Sequence, residues 1–438
     1  MKDETILCIA PRAWRSLWRE SQQIMSRVAK QNRVLYFEPG RDGNEPLVAE
    51  LLRNWQNLFT LRTQELGEGL TVIPSPARLP ISRRYLPRRV LEFTTPRVAT
   101  INNAILVRHV RQAMKAFDVK DPVLWLYSPY NADLVGKFGE KLACYHNYDE
   151  FPDMVHNARI REVIRQFDNR LTARVDVVFA TSRSQGQRRK AINSETYFVP
   201  NAVDFDSFNR ALEPTLPLPA DLADVPRPII GFAGWLGYQI DTELLCRVAE
   251  AYPNDSLVLV GPDQLPDGAH YQRLKALRNV FFLGQKGHHE LPNYLQAFDV
   301  ALMPYALNEG HVRSAYPLKL HEYLAAGRSI VAVDMPELRP YSHVIRVART
   351  TDEFINDIRK AQHDYTPESI QARVAVAREN TWDRRVDEMY QILDHHLSTT
   401  NQGVIPTHAG NTDDLIRSGD QLSDTLTPVI EQPQYKGG

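Results

Sequence analysis

Lys319 and Glu322 are the residues in this chain whose types and spacing best suit chemistry. They stand in the run Tyr316-Pro317-Leu318-Lys319-Leu320-His321-Glu322-Tyr323-Leu324-Ala325-Ala326-Gly327, followed by an apolar stretch from Ser329 to Val333. Pro317 suits the first helical position, where its missing N–H leaves no bond unmade, and Gly327 suits a left-handed cap about ten residues on. The expected helix runs about three turns. Unpaired N–H groups and the dipole at its start favour an anion, and Lys319 lies in the first turn. Glu322 follows by three residues, so both side chains leave one face of the helix about 5 Å apart. That offset matches the step from diphosphate to ribose in a nucleotide sugar. On an isolated exposed helix the same two residues would be an ordinary ion pair, worth about 0.2–0.5 kcal/mol.

The elements around the pair favour the first reading. Phe298 to Tyr305 is an apolar strand that stops at Pro304, and the helix leads into another strand at Ser329. Strand, loop, helix and strand in series place the helix start at the carboxyl end of a parallel sheet, where α/β proteins bind ligands. Further strands are expected at 6–10, 33–38, 71–74, 123–127, 141–145 and 175–180, then at 229–234, 257–261, 280–284, 300–304 and 330–334. Helical patterns such as 241–252 and 290–297 lie between them, and this alternation predicts two doubly wound parallel-sheet domains. Prolines 214, 217, 219, 226 and 228 mark a linker between Pro200 and Pro228. The expected division is therefore 1–205, 206–380, an amphipathic helix over about 381–397 that returns to the first domain, and a polar tail over 398–438 expected to be disordered.

With 438 residues, 43% hydrophobic and 24% charged, the chain is long enough for two cores. A formal net charge of -1 argues against a general nucleic-acid binder. Between Arg78 and Lys115, however, nine basic residues (Arg78, Arg83, Arg84, Arg88, Arg89, Arg97, Arg108, Arg111 and Lys115) face the single acid Glu92. With Leu79, Ile81, Tyr85, Leu86, Val90, Leu91 and Phe93 among them, this segment suits peripheral contact with a lipid headgroup layer, or a solvated basic face. No apolar run is long enough to cross a bilayer, and the start of the chain enters a strand without a secretory leader, so a cytoplasmic location is expected. Cys8, Cys144 and Cys246 are widely spaced in apolar surroundings and read as reduced core residues; no metal-ligand spacing appears. The pairs His288-His289 and His395-His396 read as surface residues.

The two Rossmann-like domains, the junction Val199-Pro200-Asn201-Ala202-Val203-Asp204 and the Pro317 to Val331 run together resemble the GT-B glycosyltransferases. The chain is most similar to the bacterial family-four and teichuronic- or exopolysaccharide-type members, over about residues 5–395. The resemblance implies two domains facing across a cleft, with a nucleoside-diphosphate sugar held by the second and the acceptor by the first. It implies that Glu322 binds the ribose hydroxyls and that Lys319 neutralises the diphosphate, with no metal and no cofactor needed. Gly234 and Trp235, after the first strand of the second domain, match the loop that approaches the donor phosphates. Gly284 falls where the family contacts the base, and Tyr305 lines the same pocket.

The chain also departs from the pattern. Many retaining family-four enzymes carry a glutamate eight positions before the second one, and here that position is Ser314. The arginine and lysine that follow the first loop of their donor domain are replaced by Trp235, Tyr238 and Gln239, with Arg313 as a substitute cation or merely an exposed loop residue. An inverting enzyme needs a base in the first domain. Tyr145-His146-Asn147-Tyr148-Asp149-Glu150-Phe151 follows a strand and resembles the Tyr-Asp-x-x-Asp-Asp segment of the polysaccharide-type relatives. Asp149 is the candidate base, with His146 and Glu150 as runners-up, and Asp is also a common helix cap. Trp14, Trp18 and Arg19, in the loop after the first strand, suit a sugar and a pyrophosphate, hence a lipid-linked acceptor. The expected function is transfer of a sugar from a UDP- or GDP-linked donor to a glycan, at the inner face of the cell membrane. The alternatives are an inactive glycan-binding or scaffold protein of the same fold, and a nucleotide-sugar epimerase.

Overall fold

Alternating strands and helices build two parallel sheets. The computed structural model describes residues 1–39, 54–67, 69–77, 79 and 88–401. The first sheet comprises β1 (Thr5–Ile9), β2 (Arg33–Glu38), β3 (Gln64–Glu65), β4 (Leu70–Pro74), β5 (Val123–Leu126), β6 (Leu142–Asn147), β7 (Val177–Ala180) and β8 (Thr196–Phe198). Their order is β3-β4-β2-β1-β5-β6-β7-β8, all parallel except β3. The second comprises β9 (Ile229–Ala233), β10 (Ser256–Val260), β11 (Val280–Gly284), β12 (Val300–Met303), β13 (Ser329–Val333) and β14 (Arg346–Ala348), in the order β11-β10-β9-β12-β13-β14. The doubly wound reading holds. The short strands β3, β8 and β14 were absent from it, because two or three edge residues carry too little alternation to be seen.

Alternation places a core on each face of the first sheet. Leu7, Leu35, Leu124 and Tyr145 pack with Leu106 and Val110 of the helix Arg88–Ala116 on one face. Cys8, Tyr36, Trp125 and Phe179 face the other, against Ile24 and Met25 of the helix Glu20–Val28 and against Trp382, Val386, Met389 and Leu393. The last four belong to the helix Trp382–Asn401, which has left the second domain and lies on the first. Asn32 Nδ2 donates to the Tyr390 hydroxyl at 2.9 Å, and Val203 pairs with Thr381 where the chain crosses between domains. The three cysteines are buried and unpaired. Among the described residues, no helix is long and apolar enough to cross a membrane. Residues 80–87, Arg78 and the tail beyond 401 lie outside the described residues.

Each sheet reverses its winding beside its first strand, between β1 and β5 and between β9 and β12. Loops leaving the carboxyl ends of those strands part to either side and leave a crevice. The loops after β1 and β6 carry the acceptor-side candidates, and those after β9 and β12 the donor-side ones.

Candidate functional site

The candidate donor helix is shorter than its sequence suggests. It spans Lys319–Ala325, two turns, and Pro317 stands in the preceding turn, its carbonyl accepting from Leu320 N at 3.3 Å. The C-terminal cap is as expected. Gly327 has φ +68°, its N–H donates to Leu324 O at 3.0 Å, and Arg328 N donates to Tyr323 O at 3.0 Å, the double closure a left-handed glycine allows.

Tertiary contacts fix this helix over the crevice. The Tyr323 hydroxyl, fully buried, accepts from Ala233 N at 2.9 Å, tying the helix to the last residue of β9. Asn201 Nδ2 donates to Tyr316 O at 2.7 Å and Asn209 Nδ2 to Ala325 O at 2.9 Å, so the domain junction holds both ends. Tyr323→Phe is expected to destabilise the fold by about 1 kcal/mol or more, measured by urea unfolding, since it leaves a buried amide unpaired.

Glycines open the space in front. Gly234 and Gly261 directly follow β9 and β10, and Gly284 is the last residue of their neighbour β11. A Cβ on Gly261 would lie 1.7 Å from Gly234 O, and one on Gly234 would lie 2.8 Å from Lys319 Cε. Lys319 thus lies across the backbone of Gly234, where no side chain could stand between it and a ligand. Its Nζ is 2.9 Å from Glu322 Oε2, with both side chains largely buried. The expected pair is formed, and in this state each partner satisfies the other. Tyr305 pairs with Ile240 to join the loops after β12 and β9, and burial and Glu322 push its phenol up. Trp235 lies half-buried over Gly237, donates from Nε1 to Gln264 Oε1 at 3.0 Å and meets Tyr238 edge-on with ring centroids 5.6 Å apart.

Across the cleft, the loop after β6 presents Asp149. Its Oδ1 accepts from Glu150 N at 2.9 Å, and its carbonyl accepts from Asn147 Nδ2 at 3.0 Å. Burial pushes its carboxyl up to about 7; the Glu150 N–H, Arg19 and Arg12 oppose this, and Glu20 adds to it. A carboxyl that titrates near neutrality is suited to accept a proton. Arg19 lies within the field of Asp149 and of Tyr305, and burial followed by Arg12 lowers its affinity for its proton. Tyr238, in the loop after β9, also lies within the field of Asp149, so the loops of the two sheets meet here. Glu20, 3% exposed, was overlooked by sequence reasoning, since nothing local marks the first residue of a helix as part of a cleft.

Three candidates do not belong to this surface. His146 is 1% exposed, with its ring 5.1 Å from that of Tyr127 and stacked near Trp125, and burial drives its pKa down to about 3. On β6 it points into the sheet's core, so it is a core histidine and not a base. Glu150 is also buried: its carboxylate receives Arg189 Nη1 at 2.8 Å, and Arg189 bridges onward to Asp168 at 2.6 Å and thence to Tyr145. It is a partner in a buried ion network. Trp14 packs against Tyr36 in the first core, its N–H held by Glu38 Oε1 at 2.7 Å.

Trp18 does reach the cleft. It is 37% exposed and stacks at 6.1 Å on His288 of the second domain, whose Nε2 lies 3.2 Å from Gln23 Nε2. His288 is therefore no surface residue: it sits between the domains, within the field of Glu322 and Lys319. His289 is exposed. Ser314 is 7% exposed, its Oγ receiving Arg188 Nη2 at 2.9 Å and its carbonyl Gln185 Nε2 at 3.2 Å. The position where retaining relatives carry a carboxylate is thus part of the seam between domains. Arg313 is exposed and turned back onto Leu307 O.

Comparison with known proteins bears on the fold. Residues 227–364 match the family described as Glycosyl transferases group 1. A stretch of 180 residues, 40% of this chain, is 27% identical to TuaH of Bacillus subtilis strain 168, assigned as a teichuronic acid biosynthesis glycosyltransferase; the match spans 45% of that relative, less than half its length. Among solved structures, sucrose-phosphate synthase from Thermosynechococcus elongatus superposes with a TM-score of 0.63 at 18% identity, covering 91% of this chain and 100% of the other. The fold is GT-B. The trehalose-6-phosphate protein from E. coli bound with UDP-2-fluoro glucose gives a TM-score of 0.64 at 11% identity over 89% of this chain and 98% of its own. Anabaena HepE, solved with UDP and glucose, gives 0.58 at 14% over 90% and 100%.

Proposed function

We propose that this protein transfers a sugar from a nucleoside-diphosphate donor to a glycan acceptor during synthesis of a surface polysaccharide. The observation that carries the reading is the Lys319–Glu322 pair beside the glycines that follow the strands of one sheet, together with a near-neutral carboxyl at the end of the other and Arg19 within reach of both Asp149 and Tyr305. In this reading Glu322 takes the ribose hydroxyls, and Lys319 leaves Glu322 for the diphosphate. Asp149 accepts the proton of an acceptor hydroxyl as that oxygen bonds to the anomeric carbon. The glycosidic bond breaks with its electrons on the diphosphate, whose growing charge Lys319 stabilises. Displacement from the face opposite the leaving group inverts the anomeric centre, in keeping with the occupied seam at Ser314. Lys319 supplies the positive charge, so the reading includes no metal ion.

Two fold neighbours solved with UDP or a UDP sugar support a UDP-linked donor. The teichuronic acid relative supports a surface glycan, and Trp18 with Arg19 supports an acceptor presented on a lipid diphosphate. Arg97, Arg108, Arg111 and Lys115, all on the helix Arg88–Ala116, supply part of a cationic surface for the inner face of a membrane. A thermal-shift panel of UDP and GDP sugars tests the donor assignment. At least one should raise the melting temperature in a saturable way, as linkage to the folded state requires. If none does, the transferase reading fails.

A further inference from the structure

A second cavity of about 180 Å³ lies behind the donor helix, lined among others by Ser329, Ser342, His343, Arg346, Asp364 and Arg373. Ser329 and Arg346 are the first residues of β13 and β14, so the cavity opens at the amino ends of these strands, the edge of the sheet opposite the donor crevice. Its volume exceeds by about ten-fold what one water needs, yet is smaller than a nucleotide-sized pocket.

Its charge is unbalanced. Arg373 is 2% exposed, donating from Nη2 to Asp364 Oδ2 and to Asp364 O, both at 2.8 Å, and more loosely from Nη1 to Gly327 O and from Nε to Val344 O, both at 3.4 Å. Arg346 Nη2 stands 3.8 Å from the same Asp364 Oδ2, and Arg346 Nε is buried with no partner among the described residues. Two guanidiniums thus share one carboxylate oxygen, so the lining carries one positive charge beyond that of Asp364, with the Arg346 side chain still one-third open to solvent. An anion entering there would meet that surplus charge and give the buried Arg346 Nε the acceptor it lacks. Arginine donors in planar forks match the oxygens of a phosphate group.

We infer that this cavity binds inorganic phosphate, with Arg346 as its principal ligand and Arg373 and the Ser342 hydroxyl completing the site. The site is distinct from the donor crevice and does not depend on the proposed activity. It does touch the donor helix, because Arg373 also holds the carbonyl of Gly327, the residue that caps it.

The test is titration of inorganic phosphate, at ionic strength held constant with chloride, into full-length Lys319→Ala, in which the donor crevice lacks its own phosphate ligand. Melting temperature and calorimetry should show one saturable site. Adding Arg346→Ala or Arg346→Gln should weaken it at least about ten-fold, a loss matching one charge-assisted contact. Asp364→Asn, which keeps an acceptor for Arg373 but removes the competing charge, should tighten it. Failure to saturate, affinity unchanged in both Arg346 variants, or weaker binding in a folded Asp364→Asn would each overturn the assignment.

Discussion

Asp149→Asn is expected to slow sugar transfer by about 10²–10⁴-fold, the range in which a positioned general base contributes, while donor affinity stays nearly unchanged. Asparagine preserves the shape and the hydrogen bond from Glu150 N but has no basicity. The measurement is release of nucleoside diphosphate from the donor identified by thermal shift, with membrane lipid extract as the source of acceptor, beside calorimetric binding of that donor. Loss of donor binding in the variant would remove Asp149 from the acceptor side. The pH dependence has a definite sign. Burial holds the carboxyl at about 7, above its ordinary range, so the basic form accumulates only as pH rises through that value. Transfer should therefore increase with pH through about 7. The same shift predicts that stability falls as pH rises from the ordinary carboxylate range toward about 7, because in that window the folded chain holds a proton the unfolded chain has already released. Asp149→Asn should flatten that part of the unfolding profile, a readout independent of any substrate.

Lys319→Ala is expected to weaken donor binding by about 10–100-fold, the cost of about 1.5–3 kcal/mol when a charge-assisted contact to phosphate is lost. Turnover at saturating donor should fall as well, because the diphosphate gains charge as the glycosidic bond breaks and Lys319 lies where that charge develops. The competing effect is on Glu322. Without Lys319, its carboxylate loses its 2.9 Å partner while remaining largely buried. Binding of the free nucleoside separates the two. If the ribose contact survives, uridine or guanosine affinity should change little while affinity for the diphosphate form collapses. An equal loss for both would mean that the substitution had disturbed Glu322.

Local sequence determined the features that depend on neighbours along the chain. Apolar runs of five or six residues separated by amphipathic stretches specify parallel strands and covering helices, and both sheets follow that order. Gly327 as a left-handed cap, the three-residue offset of Lys319 and Glu322, and the position of Asp149 at a strand's carboxyl end are equally local. Even there the helix began two residues late, since Pro317 was used in the turn before it. Tertiary structure decided which polar groups met the cleft. His146, Asp149 and Glu150 lie within five residues, yet one packs between aromatic rings, one lies in the field of Arg19 and Tyr238 and one is tied to Arg189, 39 positions away. His288, which looks like a surface residue in sequence, is brought against Gln23, 265 positions away, and Tyr323 against Ala233. A strand's alternation fixes which side chains leave the same face, but whether that face meets solvent, a core or another domain depends on what packs there. That packing comes from distant segments, and the return of the helix Trp382–Asn401 across the first sheet shows how far such segments lie in the chain.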